Sequence, residues 1–242
     1  MQIITDIFEI NRRICFNLWD MVDVHNEPRG LSPRLILPKK RDTAIRISEQ
    51  ESRILYCGLL NTLNYYYSIE TPTENTFMLT GTKPISASSD LSLYRHDGGS
   101  LKKVMNVEFK AHNSSFEHIR KDIEKLVREG IPGNWFHTLK SIDNRTLPVL
   151  FEKMSGSFKK STDGALGIGV SIIFCFCVIE KKWACMKDFL YNQQQGDYVS
   201  FVDEFFRLTY EVKGGRIHVL DENGWTITHA QEAFSMSEEA RA

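Results

Sequence analysis

Ser88-Ser89-Asp90-Leu91-Ser92-Leu93-Tyr94 and, after a short turn, Val104-Met105-Asn106-Val107-Glu108-Phe109-Lys110-Ala111-His112 decide how this chain is read. Both stretches alternate polar and apolar residues, the period of a half-buried strand. Between them, Asp97-Gly98-Gly99-Ser100 is hairpin-turn chemistry, because glycine reaches positive φ without a Cβ clash. A strand repeats every two residues, so Glu108 and Lys110 project from one face, roughly 7 Å apart. The hairpin can lay Asp90 beside them. Two carboxylates and an ammonium then meet at a strand end, a constellation suited to holding a hard divalent cation and orienting a water next to it.

The elements on either side extend this reading. Ser48-Glu49-Gln50-Glu51 is a capping box, which opens a helix expected to run to about Tyr66. Phe77 to Gly81 is expected as the first strand of a meander, followed by the Asp90 and Glu108 strands. Asn113-Ser114-Ser115 caps an amphipathic helix from Phe116 to Arg128, with Phe116, Ile119, Ile123, Leu126 and Val127 as its apolar stripe. Asn134 to Ile142 reads as a fourth strand.

An Asp followed eighteen residues later by Glu-x-Lys, presented on such a hairpin, resembles the active-site signature of the PD-(D/E)xK nuclease superfamily. Ser89 stands where the family's name has Pro. The resemblance covers residues 45–180. It implies a restriction-endonuclease-like αβββαβ core, an α/β fold with a mixed sheet flanked by helices. Asp90, Glu108 and the backbone carbonyl of Phe109 would then hold Mg²⁺, with Mn²⁺ as a substitute, and Lys110 would position the attacking water. The family's helix carboxylate falls on Glu51, with Glu49 as the alternative. The capping bond is a second sufficient reason for a Glu at position 51. The family's phosphate-contacting helix residue falls on Lys121, then Lys125, although a solvated charged helix face is the simpler explanation of both.

The rest of the chain supplies the frame. A net charge of −1 excludes a global positive field, so any nucleic-acid site is a local patch. With 42% hydrophobic and 25% charged residues in 242, the composition is that of one globular domain with appendages. Five cysteines without a Cys-x-x-Cys pair read as free thiols in a reducing compartment. No signal peptide or membrane span is recognisable, so a cytoplasmic protein without membrane attachment is expected.

Residues 1–44 are expected to form a helix and a loop, in which Lys39-Lys40-Arg41 is a basic cluster. Residues 146–160 read as a helix with Pro148 in its first turn, and Val170 to Ile179 as a central buried strand. Residues 181–242 read as a C-terminal extension packed on the core, with a strand from Trp183 and a hairpin around Gly214-Gly215. His137, on an apolar strand, reads as a packed residue.

The expected function is metal-dependent phosphodiester hydrolysis on nucleic acid, DNA ahead of RNA, by an endo- or exonuclease that could act as a homodimer. The competing expectation is a catalytically inactive nuclease-fold module that binds nucleic acid or a protein. An unrelated α/β enzyme has no motif in its favour: G-x-S-x-G, Walker A and H-E-x-x-H are all missing.

Overall fold

A computed structural model of the chain describes residues 2–23, 35–40, 44–77, 85–161, 169–191 and 197–230. Helix α1 spans Gln2–Asp23, and its Ile7, Ile10, Ile14 and Leu18 are buried at steps of three and four. A small ribbon follows, β1 (Lys39–Lys40) against β2 (Ala44–Ile45). Arg41, the last of the basic cluster, lies outside the described residues.

Helix α2 (Glu49–Leu60) opens on the expected box: Ser48 accepts the Gln50 N–H, and Glu51 accepts the Ser48 N–H at 2.8 Å. It ends at Leu60, not Tyr66, because Tyr66–Phe77 is strand β3. The meander therefore begins eleven residues before the expected start; residues 78–81 of the expected strand lie outside the described residues.

Strands β4 (Ile85–Asp97) and β5 (Ser100–Ala111) form the expected hairpin, with Gly98 and Gly99 at φ 54° and 94°. Next come α3 (Phe116–Arg128), β6 (Gly133–Leu139), α4 (Thr146–Ser161) and β7 (Ser171–Val178). Then follow β8 (Trp183–Leu190), α5 (Tyr198–Phe205), β9 (Thr209–Lys213), β10 (Arg216–Asp221) and β11 (Thr226–His229).

Seven strands form one mixed sheet in the order β11-β8-β7-β6-β5-β4-β3, and β9 pairs β10 separately. β5, β6 and β7 are parallel; the other pairs are antiparallel. Parallel neighbours need a crossover, and α3 and α4 supply the two. Both crossovers step the same way across the sheet, so their fixed right hand places both helices on one face. The sheet does not stop at residue 180: β8 and β11 are strands of it, so the described residues after 180 complete the sheet as well as packing on it.

Two cores result. On one face, α1 and α2 cover Leu91, Val107, Phe109, Phe136 and Cys175. On the other, α3, α4 and α5 cover Trp135, Phe174, Phe176 and Phe189. β7 is buried on both faces, which is why its sequence is a continuous apolar run. A buried side-chain chain of Asn11, Tyr56 and Asn134 ties α1 and α2 to β6, with Asn11 donating to Asn134 at 2.8 Å. All five cysteines are free, and Cys15 Sγ lies 3.8 Å from Cys175 Sγ. Among the described residues no helix is long and apolar enough to cross a membrane.

Candidate functional site

Strand alternation sends Val107 and Phe109 into the α1/α2 core, so Glu108 and Lys110 face α3. Asp90 arrives from β4. The ladder's register runs to Leu91↔Val107, and just beyond it Asp90 Oδ2 accepts the Phe109 N–H at 2.7 Å. The hairpin thus brings Asp90, Glu108 and Lys110 together, with the Phe109 backbone between them.

Glu108 is fully buried. Its Oε2 takes the Lys125 ammonium at 2.7 Å, while its Oε1 has no hydrogen-bond partner. Burial raises its pKa well above the usual carboxylate range, and the negative Asp122 and Asp90 add to the rise against the pull of Lys125. A buried, unsatisfied carboxylate oxygen is costly.

Lys110 Nζ lies 2.7 Å from Asp122 Oδ2, 3.0 Å from the Phe109 carbonyl and 3.6 Å from Glu49 Oε1. Burial alone would lower its pKa; Asp122, Glu49 and Asp90 together raise it. Asp122, on α3, also takes Lys125 at 2.8 Å. Burial pushes Asp122 up, but the two lysines outweigh that and hold it below the ordinary carboxylate value. Glu49 is raised, by burial first, with Asp90 and Asp122 adding to it and Lys110 opposing. Arg53 on α2 reaches Asp90 Oδ1 at 3.0 Å and Glu70 at 2.8 Å.

Glu49, Glu70, Asp90 and Asp122 line a cleft of about 520 Å³; Glu108, which is fully buried, and Arg53 are not among its lining residues. The ammonium groups of Lys110, Lys121 and Lys125 line it as well. Around Glu108, the four carboxylates of Glu49, Asp90, Glu108 and Asp122 face the three cations Arg53, Lys110 and Lys125, leaving one negative charge in excess when all are ionised. Two larger cavities, about 670 and 790 Å³, lie at β10–β11 and between α4, α5 and β9. In the second, Asp203 is already committed to Ser155 and Lys159.

Glu51 and Lys125 sit differently from their sequence reading, whereas His137 is packed as expected. Glu51 spends its carboxylate on the helix cap, bonding both the Ser48 N–H and the Ser48 hydroxyl, and it is Glu49 that borders the cleft. Lys121 is exposed on the cleft wall. Lys125 is only 3% exposed, and its ammonium donates to Ser88 O, Glu108 and Asp122, so it serves the carboxylates from within. His137 is fully buried, with Nε2 2.6 Å from the His112 carbonyl and its ring against Trp135 and Phe176.

The sequence reading missed Asp122 and Arg53. A signal for Asp122 exists: it stands three residues after Ile119 and four before Leu126, on the edge of the apolar stripe, where a charge needs a partner.

Among the described residues no group of three or more His, Cys, Asp and Glu side chains is arranged to hold a metal ion. No family model, curated protein or solved structure matches this chain.

Proposed function

We propose that the chain is a metal-dependent nuclease that hydrolyses phosphodiester bonds of nucleic acid, with DNA the first substrate to test. The observation that carries the reading is the orphaned Oε1 of a fully buried Glu108, beside Asp90 and Lys110. The order α2-β3-β4-β5-α3-β6 supports it, since αβββαβ is the order implied by the PD-(D/E)xK resemblance.

The donors fit Mg²⁺ or Mn²⁺: Asp90, Glu108 Oε1 and the Phe109 carbonyl are hard oxygens, and the cluster carries one negative charge in excess once Glu108 is ionised. Bound there, the ion would supply Lewis-acid stabilisation of phosphate charge and a more acidic water. The remaining work belongs to the chain. The Phe109 N–H and Arg53 fix the two oxygens of Asp90, and Lys125 fixes Glu108. Asp122 and the Phe109 carbonyl take two protons of the Lys110 ammonium at hydrogen-bonding distance, so the third can hold the attacking water. Lys121, exposed on the cleft wall, would meet a phosphate of the substrate.

A second reading has its own support. Asp90, Glu108 and Asp122 each contact a cation of the chain, which suits a module that binds without cutting. Cleavage of linear, supercoiled, branched and single-stranded DNA and of RNA, with Mg²⁺ or Mn²⁺ and with chelator, separates the two. The nuclease reading expects cutting that chelator stops and that Asp90→Ala, Glu108→Gln or Lys110→Ala abolishes. Failure to cut any substrate, together with no Mn²⁺ binding at millimolar concentration, would leave the binding module.

A further inference from the structure

The Lys125 ammonium sits in a cradle of three oxygens: Glu108 Oε2 at 2.7 Å, Asp122 Oδ1 at 2.8 Å and the Ser88 carbonyl at 2.9 Å. Two carboxylates and a carbonyl are the donors a hard cation prefers, and an ammonium has three protons to match three acceptors. The nitrogen is therefore saturated, and it is buried; Lys125 is 3% exposed. The other oxygen of the same Glu108 is bare and equally buried. One carboxylate thus presents one oxygen to a resident cation and keeps one for a visitor.

We infer that Lys125 is a built-in second cation, so that the site takes one divalent ion, on Glu108 Oε1, Asp90 and the Phe109 carbonyl, and not two. This rests on the metal-dependent reading proposed above and specifies its stoichiometry. In two-metal phosphodiester sites the ions stand about 3.5–4 Å apart and share a bridging carboxylate, which spreads positive charge over both sides of the phosphate. Here the ammonium fills the second place beside Glu108. Evicting it would leave a buried charge without partners, so an arriving ion takes the open oxygen instead. Asp122 fits the same arrangement, because its Oδ1 completes the cradle while its Oδ2 holds Lys110.

The test counts Mn²⁺ ions per chain, by isothermal titration calorimetry on the full chain and by anomalous diffraction from Mn²⁺-soaked crystals. The wild type is expected to bind one ion. Lys125→Ala opens the cradle, leaves an alanine that suits a helix, and is expected to bind two. Two ions in the wild type, or one in both proteins, would overturn the inference and leave the nuclease reading standing. No ion in either protein at millimolar Mn²⁺ would remove the metal reading and this inference together.

Should Lys125→Ala fail to fold, the wild-type crystal decides. An ion at Glu108 Oε1, with Lys125 Nζ still bonded to Glu108 Oε2 and Asp122, supports the assignment. An ion seated in the cradle with Nζ displaced refutes it.

Discussion

Asp122 Oδ2 lies 2.7 Å from Lys110 Nζ, joining a helix to the strand that carries the proposed catalytic lysine. Asp122 is 6% exposed, so the pair is screened little by water. Removing one partner of a buried pair strands the other, at a cost of about 3 kcal/mol or more. Asp122→Asn is therefore expected to lower the thermal midpoint by roughly 6–12 °C for a chain of this size, and to cut cleavage by loosening Lys110. Asp122 is held below its ordinary pKa, so its contribution is present above the ordinary carboxylate value and is lost as pH falls through the lower folded value. Melting curves against pH should show the two proteins converging in acid. A gap that persists at low pH would mean that packing, not charge, is what Asn disturbs.

Glu108 carries the opposite sign. Burial, with Asp122 and Asp90 behind it, raises its pKa despite Lys125, so the folded chain resists ionising it. Below the ordinary carboxylate value both folded and unfolded chains hold the proton, and nothing is lost. As pH rises past that value the unfolded chain gives up its proton first, and folding is penalised. Glu108→Gln removes this penalty but also takes one partner from the buried Lys125 ammonium, so the prediction concerns the trend: the variant should gain on the wild type as pH rises from acid to neutral, and should not cut nucleic acid. A variant that instead loses ground to the wild type over that range would show that the ionised Glu108–Lys125 pair stabilises the fold.

The legible parts of this molecule were those written in short-range pattern. Gly98-Gly99 and the alternation on either side fixed the hairpin, and with it the meeting of Asp90, Glu108 and Lys110. The apolar stripe of α3 was equally plain. β3 was obscured because Tyr65-Tyr66-Tyr67 continues the helical spacing of α2, and Thr71-Pro72-Thr73 looks like a turn. Pro72 is tolerated in the strand because β3 is the sheet's edge, paired to β4 alone, and its register shifts just after Pro72. The ion pairs of Asp122 and Lys125 were hidden for another reason. Helical spacing tells which side chains are neighbours on α3, but not that β5 presents Glu108 and Lys110 to them.

Glu49 and Glu51 allow a clean separation of cap from cleft. Glu51 bonds the Ser48 N–H at 2.8 Å, whereas Glu49 stands 3.6 Å from Lys110. Loss of a cap costs about 1 kcal/mol, or roughly 2–4 °C of melting temperature here. Glu51→Ala is expected to show that loss with cleavage intact at a temperature where the variant is folded. Glu49→Gln should reduce cleavage with little change in melting. The reverse outcome would return the site's helix carboxylate to Glu51.

His137 predicts how the whole chain responds to acid. Its Nε2 donates to the His112 carbonyl, its Nδ1 is buried without a partner, and burial lowers its pKa from 6.5 to about 4 despite that bond. The folded chain keeps the ring neutral while the unfolded chain protonates it. Stability is therefore complete above 6.5 and drains away as pH falls towards 4, by roughly 3 kcal/mol for a shift of that size. Protonation would put a cation among Trp135, Phe176 and the nearby Lys110, with no acceptor for the new proton on Nδ1. His137→Gln removes this titration. Its midpoint should start below that of the wild type at pH 7, because the ring's packing is lost, but should fall less between pH 6.5 and 4. Parallel pH dependences for the two proteins would show that His137 does not set the acid limit, and would move attention to the paired carboxylate Asp122.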